Sequence, residues 1–221
     1  IAFSCYIWNI EYIDKLCHML RQRQPDIILA LGGPEVTYEP QYFLEHIPVD
    51  YILSGEGEEI FPQLLEALEK KQDVCLPGVS YRGHISSTVA VADLKYVESL
   101  DSPYCLPQDQ KDMGKRILYF ETSRGCPFQC QYCLSSLEQG LRFFSEDYLN
   151  RQLNLICHSS AKTIKFLDRS FNADANHAIM ILDYIFKHYQ EGQQFQFEIN
   201  ADVLNQKIID FIREKSPKGL L

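Results

Sequence analysis

Apolar and polar positions along the chain repeat with two different periods. Ile1 to Tyr6 form an apolar, strand-like run, and Ile10, Ile13, Leu16, Cys17 and Leu20 then share one helical face until Pro25 closes it. Asp26 to Leu31 is a nearly continuous apolar segment ending in Gly32, Gly33 and Pro34, the pattern of a parallel strand covered on both faces. A short helix near Gln41 to His46 and a strand from Val49 to Ser54 follow. Gly55-Glu56-Gly57-Glu58-Glu59 then opens a helix in which Ile60, Phe61, Leu64, Leu65 and Leu68 repeat up to Lys70 and Lys71. Its acidic start and basic end suit the helix dipole.

From residue 76 to residue 115 the pattern is short and irregular, punctuated by Gly78, Gly83, Pro103 and Pro107, and reads as a linker with a small hairpin at Val79 to Ile85. Alternation then resumes with a strand from Arg116 to Ser123, a helix from Glu146 to His158 and a strand from Thr163 to Asp168. A helix from Asn172 to Tyr189, a strand from Phe195 to Asn200 and a helix from Leu204 to Glu214 complete it. The fold class expected is α/β: an incomplete Rossmann-like parallel-sheet domain over residues 1–75, the linker over 76–115, and part of a β/α barrel over 116–221. Ligands of such sheets sit beyond the carboxyl ends of the strands, where Gly32, Gly33 and Gly55 to Gly57 fall.

Composition narrows the function. With 21 basic and 30 acidic residues the net charge is -9, which disfavours nucleic acid and anionic membrane as partners. No apolar run approaches the roughly 18 residues needed to cross a bilayer. The chain opens at Ile1, inside an apolar run and without an initiator methionine, and reads as a fragment of a soluble, cytoplasmic protein. Eight cysteines would suit disulfides in a small secreted domain, but three fall within eight residues, which points to metal binding in a reducing compartment. Cys5, Cys17, Cys75, Cys105 and Cys157 are scattered and read as buried or incidental thiols, the six histidines as satisfied or solvated, and Trp8 as core.

The densest chemistry lies in Ser123-Arg124-Gly125-Cys126-Pro127-Phe128-Gln129-Cys130-Gln131-Tyr132-Cys133, where three thiols at spacings of four and three follow a strand. A structural zinc site or an ordinary ferredoxin cluster asks for four ligands, so three leave one iron open. Ser123 and Arg124 either cap the strand or contact a ligand. The CxxxCxxC loop, with an aromatic residue just before its last cysteine, resembles the radical S-adenosylmethionine (SAM) superfamily. That resemblance implies a 4Fe-4S cluster on Cys126, Cys130 and Cys133, with SAM chelating the open iron beside Tyr132 and being cleaved to a 5'-deoxyadenosyl radical. It also implies an electron donor such as flavodoxin or ferredoxin.

Further residues follow from the same resemblance. Phe166, Asp168 and Phe171 match the Phe-x-Asp-x-x-Phe element of cobalamin-containing members, which would set Asp168 against the SAM amino group; an N-cap for the next helix is the other reading, and Asn172 competes for it. Glu198 faces either SAM inside the barrel or solvent. The unit before the barrel is similar to a cobalamin-binding domain: Ser4 stands for the serine of its Ser-x-Leu element, with Tyr6 where leucine is usual, and Gly32 and Gly33 stand for its glycine pair. Those glycines could equally serve a tight turn. The Asp-x-His-x-x-Gly cobalt-ligand motif is not in the chain. The implied reaction is radical chemistry on an unactivated carbon, with methyl transfer through cobalt; a cobalamin-independent radical enzyme and a non-catalytic cluster module remain as alternatives.

Overall fold

A computed structural model of the chain describes residues 1–137 and 140–217. They form two compact units, one over Ile1–Val97 and one over the described residues from Glu98 onward.

The first unit is a sheet of β1 (Ala2–Ser4), β2 (Ala30–Gly32), β3 (Tyr51–Leu53) and β4 (Val79–Tyr81) in that order, with α1 (Ile10–Arg23), α2 (Pro34–Thr37), α3 (Pro40–His46) and α4 (Gly57–Glu69) between the strands. The first three strands are parallel, and β4 runs antiparallel to β3. Successive strand residues feed opposite faces. Leu29, Leu31 and Ile52 pack with Ile13 and Cys17 of α1 and with Phe43 and Leu44 of α3. Ala30 and Leu53 pack with Ile60 and Leu64 of α4 on the other side. Two cores on one sheet explain why Asp26 to Leu31 is apolar almost without interruption.

The stretch read as a linker is more ordered than its composition suggests. Val79 and Ser80 of β4 are fully buried, and Tyr81 and His84 exchange backbone hydrogen bonds of 2.9 Å in the turn that follows. Residues 76–97 fold with the first unit. Beyond them come α5 (Leu94–Ser99) and α6 (Pro107–Asp112).

The second unit contains β5 (Ile117–Phe120), β6 (Ser123–Arg124), β7 (Arg142–Phe143), α7 (Glu146–Cys157), β8 (Thr163–Phe166), α8 (Ala175–His188), β9 (Gln194–Gln196) and α9 (Gln206–Lys215). β5, β8 and β9 form a parallel sheet in that order, registered through Leu118, Ile164 and Phe195. Sequential parallel strands separated by helices are the opening of a β/α barrel. Leu118, Phe120, Ile164, Phe166 and Phe195 are buried on one face, while Ile117, Tyr119 and Gln196 are exposed on the other. The free edge of β5 is covered by one side chain: Tyr104 Oη accepts from the Tyr119 N–H at 2.8 Å and donates to the Tyr119 carbonyl at 2.7 Å.

Several boundaries depart from the hydrophobic pattern, β9 among them, which ends at Gln196 where the pattern runs to Asn200. The strand expected from Arg116 to Ser123 breaks after Phe120, because the Thr122 N–H turns to the Asp168 carboxylate and β6 pairs with β7. Helix α8 starts later than its pattern, since Asp174 caps it by accepting the His177 N–H at 2.8 Å. Neither Asp168 nor Asn172 is that cap; Asn172 instead exchanges two 2.8 Å bonds with the Asn200 backbone. Among the described residues, no helix is long and apolar enough to cross a membrane.

Candidate functional site: a three-cysteine loop and a glycine-lined sheet edge

The cysteine loop is closed at its base by a two-residue antiparallel ladder pairing Ser123 with Phe143 and Arg124 with Arg142. Directly above the ladder Gly125 adopts φ +89, and a Cβ there would stand 2.0 Å from the Gly140 carbonyl oxygen, so only glycine lets the two ends of the loop meet. Cys126 and Cys130 are half-buried and Cys133 is exposed, all with free thiols. The Cys133 N–H donates to the Cys130 carbonyl at 3.0 Å. Hydrogen bonds from the backbone N–H and then the hydroxyl of Ser135 hold the Cys133 thiol below its ordinary pKa, and the positive charge of Arg169 acts the same way. Tyr132 is 93% exposed.

Among the described residues, no three His, Cys, Asp or Glu side chains are gathered in a metal-binding arrangement. The loop therefore carries the three thiols without converging them. Its chemistry fits an iron-sulfur cluster all the same: free soft donors on one short loop, one of them already biased toward thiolate.

Ser123 and Arg124 both have protein partners. The Ser123 hydroxyl donates to Asp168 at 2.6 Å, and the Arg124 guanidinium donates to Glu121 Oε1 through Nε at 2.9 Å and a terminal nitrogen at 2.7 Å. Asp168 is engaged within the protein. It is 1% exposed, and its carboxylate accepts from the Thr122 N–H, the Thr122 hydroxyl and the Ser123 hydroxyl. A carboxylate so occupied braces the strand before the cysteines. Glu198 lies past the end of β9, its side chain 53% exposed and paired with Lys165 at 3.3 Å, while its carbonyl accepts the Phe171 N–H at 2.8 Å. Lys165 alternates with the buried Ile164 and Phe166, which sets this ion pair on the face away from the core.

In the first unit, Ser4, Gly32 and Leu53 are aligned neighbours at the carboxyl ends of β1, β2 and β3. The expected cofactor residues of this unit thus share one edge. Gly32 has room for a side chain, its nearest neighbour being 3.7 Å from a Cβ. Gly33 has none: at φ +100 its Cβ would lie 2.6 Å from the Cys5 carbonyl oxygen, so this glycine serves the close approach of two loops.

Sequence reasoning missed two residues at this edge. The buried Thr37 hydroxyl donates to the Gly33 carbonyl at 2.8 Å and accepts the Gly55 N–H at 3.3 Å, tying together the loops after β2 and β3. Ser54 is 2% exposed, and its hydroxyl has no partner among the described residues. A buried orphan hydroxyl is costly, and at a ligand-binding sheet edge it fits a cofactor that brings an acceptor. Neither short polar residue carries a sequence signal apart from its position after a strand. Cys5 is fully buried, and burial, then Cys17, pushes its thiol up to about 12. Trp8 departs from its expected place in the core: it is 72% exposed and stacks on Tyr6 at 4.6 Å in the loop after β1.

Known proteins show the same two parts. Residues 1–65 match the B12 binding domain family. The chain is 31% identical over 202 residues to the cobalamin-dependent radical SAM methyltransferase TokK of Streptomyces tokunonensis, covering 85% of this chain and 29% of that protein. It is 30% identical over 186 residues to the 2-(S-pantetheinyl)-carbapenam-3-carboxylate methyltransferase of Streptantibioticus cattleyicolor, covering 77% of this chain and 27% of the relative. The structure of the radical SAM methyltransferase TsrM from Kitasatospora setae, with tryptophan and a SAM analogue, superposes with a TM-score of 0.73 at 16% identity, over 94% of this chain and 43% of that one. The chain spans less than half the length of each of these proteins.

A B12-type parallel sheet followed by the first strands of a β/α barrel with a CxxxCxxC loop defines a class of two-cofactor proteins. The chain is similar to cobalamin-dependent radical SAM methyltransferases over most of its length, and its first 65 residues match the B12 binding domain.

Proposed function

We propose that this chain is the cofactor-binding part of a radical SAM enzyme that uses a 4Fe-4S cluster to cleave SAM and cobalamin to carry a methyl group to its substrate. The observation that carries the reading is the three-thiol loop after the first strand of a β/α unit, in a chain whose first 65 residues are of the B12-binding type.

Cys126, Cys130 and Cys133 would hold the cluster as thiolates, a form that Ser135 and Arg169 already favour at Cys133. The exposed Tyr132 would flank SAM at the open side of the loop. Glu198 and Lys165, on the face away from the core, offer a charged pair of either sign to a polar group entering there. Ser4, Gly32, Gly33 and the orphan hydroxyl of Ser54 would line the cobalamin edge, with Thr37 fixing the spacing of its loops. When bound, the cluster supplies an electron to the SAM sulfonium and cobalamin supplies a methyl carrier. The electron would come from a donor of the flavodoxin or ferredoxin kind. Eight free thiols support a reducing compartment, the cytoplasm.

The test uses the full-length protein, reconstituted anaerobically with iron, sulfide and cobalamin. A corrin absorption spectrum after gel filtration, together with 5'-deoxyadenosine or S-adenosylhomocysteine formed from SAM under reduction, is the expected result. Neither product with any added reductant, in protein carrying iron, would overturn the catalytic reading. A second reading has its own observation: a Synechocystis sp. relative named anaerobic magnesium-protoporphyrin IX monomethyl ester cyclase matches 30% over 137 residues. Radical chemistry without methyl transfer would show as 5'-deoxyadenosine alone.

A further inference from the structure

Thr122 stands at the centre of a buried relay. Its hydroxyl has one hydrogen, and that hydrogen goes to Asp168 Oδ1 at 2.7 Å. The 2.8 Å contact with His177 Nε2 must then be donated by the histidine, which fixes a proton on Nε2. Asp168 also takes the Ser123 hydroxyl at 2.6 Å and the Thr122 N–H at 3.1 Å. The His177 ring lies 4.6 Å from that of Phe143, which is the ladder partner of Ser123.

Asp168 follows β8 and His177 lies in the first turn of α8, yet both converge on the two strands that close the cysteine loop. Thr122 precedes Cys126 by only four residues. A shift at this base is carried directly into the loop, because the Gly125 contact with Gly140 leaves no slack above it. An apolar core would stabilise the sheet equally well, whereas directed bonds fix one geometry.

We propose that His177 and Asp168, acting through Thr122, are positioning residues for the iron-sulfur cluster: they hold the base of the cysteine loop so that its three thiols meet the cluster in one orientation. The inference rests on the reading that Cys126, Cys130 and Cys133 bind a cluster. It gives Asp168 a role at the base of the loop that its buried hydrogen bonds carry.

The experiment compares full-length, anaerobically reconstituted wild type with Thr122→Val, Thr122→Ser, His177→Phe and His177→Gln. Iron content, the electron paramagnetic resonance signal of the reduced cluster and its change on adding SAM are measured on each. Thr122→Val and His177→Phe retain iron but show a broadened signal and an apparent SAM affinity weakened on the order of tenfold to a hundredfold, the scale of a misplaced group. Thr122→Ser and His177→Gln, which keep a hydroxyl and a donor, return toward wild type. Wild-type signals and SAM affinity in Thr122→Val and His177→Phe, with only a lowered melting temperature, would overturn the inference. If Thr122→Val does not fold, the His177 pair alone decides it. A wild type that binds no cluster overturns the underlying reading and this inference with it, whereas a wild-type cluster indifferent to both pairs overturns the inference alone.

Discussion

Gly125 lies so close to Gly140 that a Cβ on the former would stand 2.0 Å from the carbonyl oxygen of the latter. The contact closes the cysteine loop immediately above the β6–β7 ladder and sets where Cys126 begins. A side chain at Gly125 meets both a positive φ, costing roughly 1–2 kcal/mol, and a backbone atom that cannot step aside. Gly125→Ala should therefore lose most of its iron on reconstitution of the full-length protein while binding cobalamin as the wild type does. Iron content and the corrin spectrum check both halves.

At the edge of the first sheet two hydroxyls should behave differently. Thr37 makes two bonds within the chain, so Thr37→Val is expected to cost about 1–3 kcal/mol of folding stability and to weaken cobalamin binding as the loops part. Ser54 makes none, so Ser54→Ala should leave the unliganded protein at least as stable and weaken cobalamin binding by roughly fivefold to tenfold. Thermal melts with and without cobalamin, and a spectroscopic titration, separate the two.

Burial holds the His177 imidazole below its usual pKa of 6.5, against the opposing pull of Asp168 and Asp174. A histidine depressed in the folded state binds fewer protons than in the unfolded chain, so its contribution to stability is present above about pH 6.5 and is lost as pH falls through the lowered value. Between pH 7.5 and 5.5 the melting temperature of the wild type should drop more steeply than that of His177→Gln. Parallel curves would show that this histidine is not the group responsible.

Much of the fold was legible because its signals are local. The helical face of Ile10, Ile13 and Cys17, the apolar run ending at Gly32, and the strand expected from Thr163 to Asp168 and found over Thr163–Phe166 each depend on neighbours a few residues apart. The cysteine loop was legible for the same reason. What escaped depends on partners far along the chain. The break after β5 is set by a carboxylate 46 residues beyond Thr122, and His177 gains its place through a threonine 55 residues before it. β4 has only three residues in which to show a pattern: its small hairpin at Val79 to Ile85 was legible, its pairing with β3 was not. Asp168 carried a motif but not its orientation, which the hydroxyls of Thr122 and Ser123 decide.

The central claim is that the loop from Cys126 to Cys133 holds a cluster with one iron open to SAM. Its most direct test is electron paramagnetic resonance of the dithionite-reduced, full-length protein before and after SAM is added, with iron measured on the same samples. The account predicts about four irons per chain on this loop, a cluster signal that changes on adding SAM, and loss of both in Cys126→Ala, Cys130→Ala and Cys133→Ala. A wild-type signal that SAM leaves unchanged, or iron retained after all three thiols are removed, would contradict it.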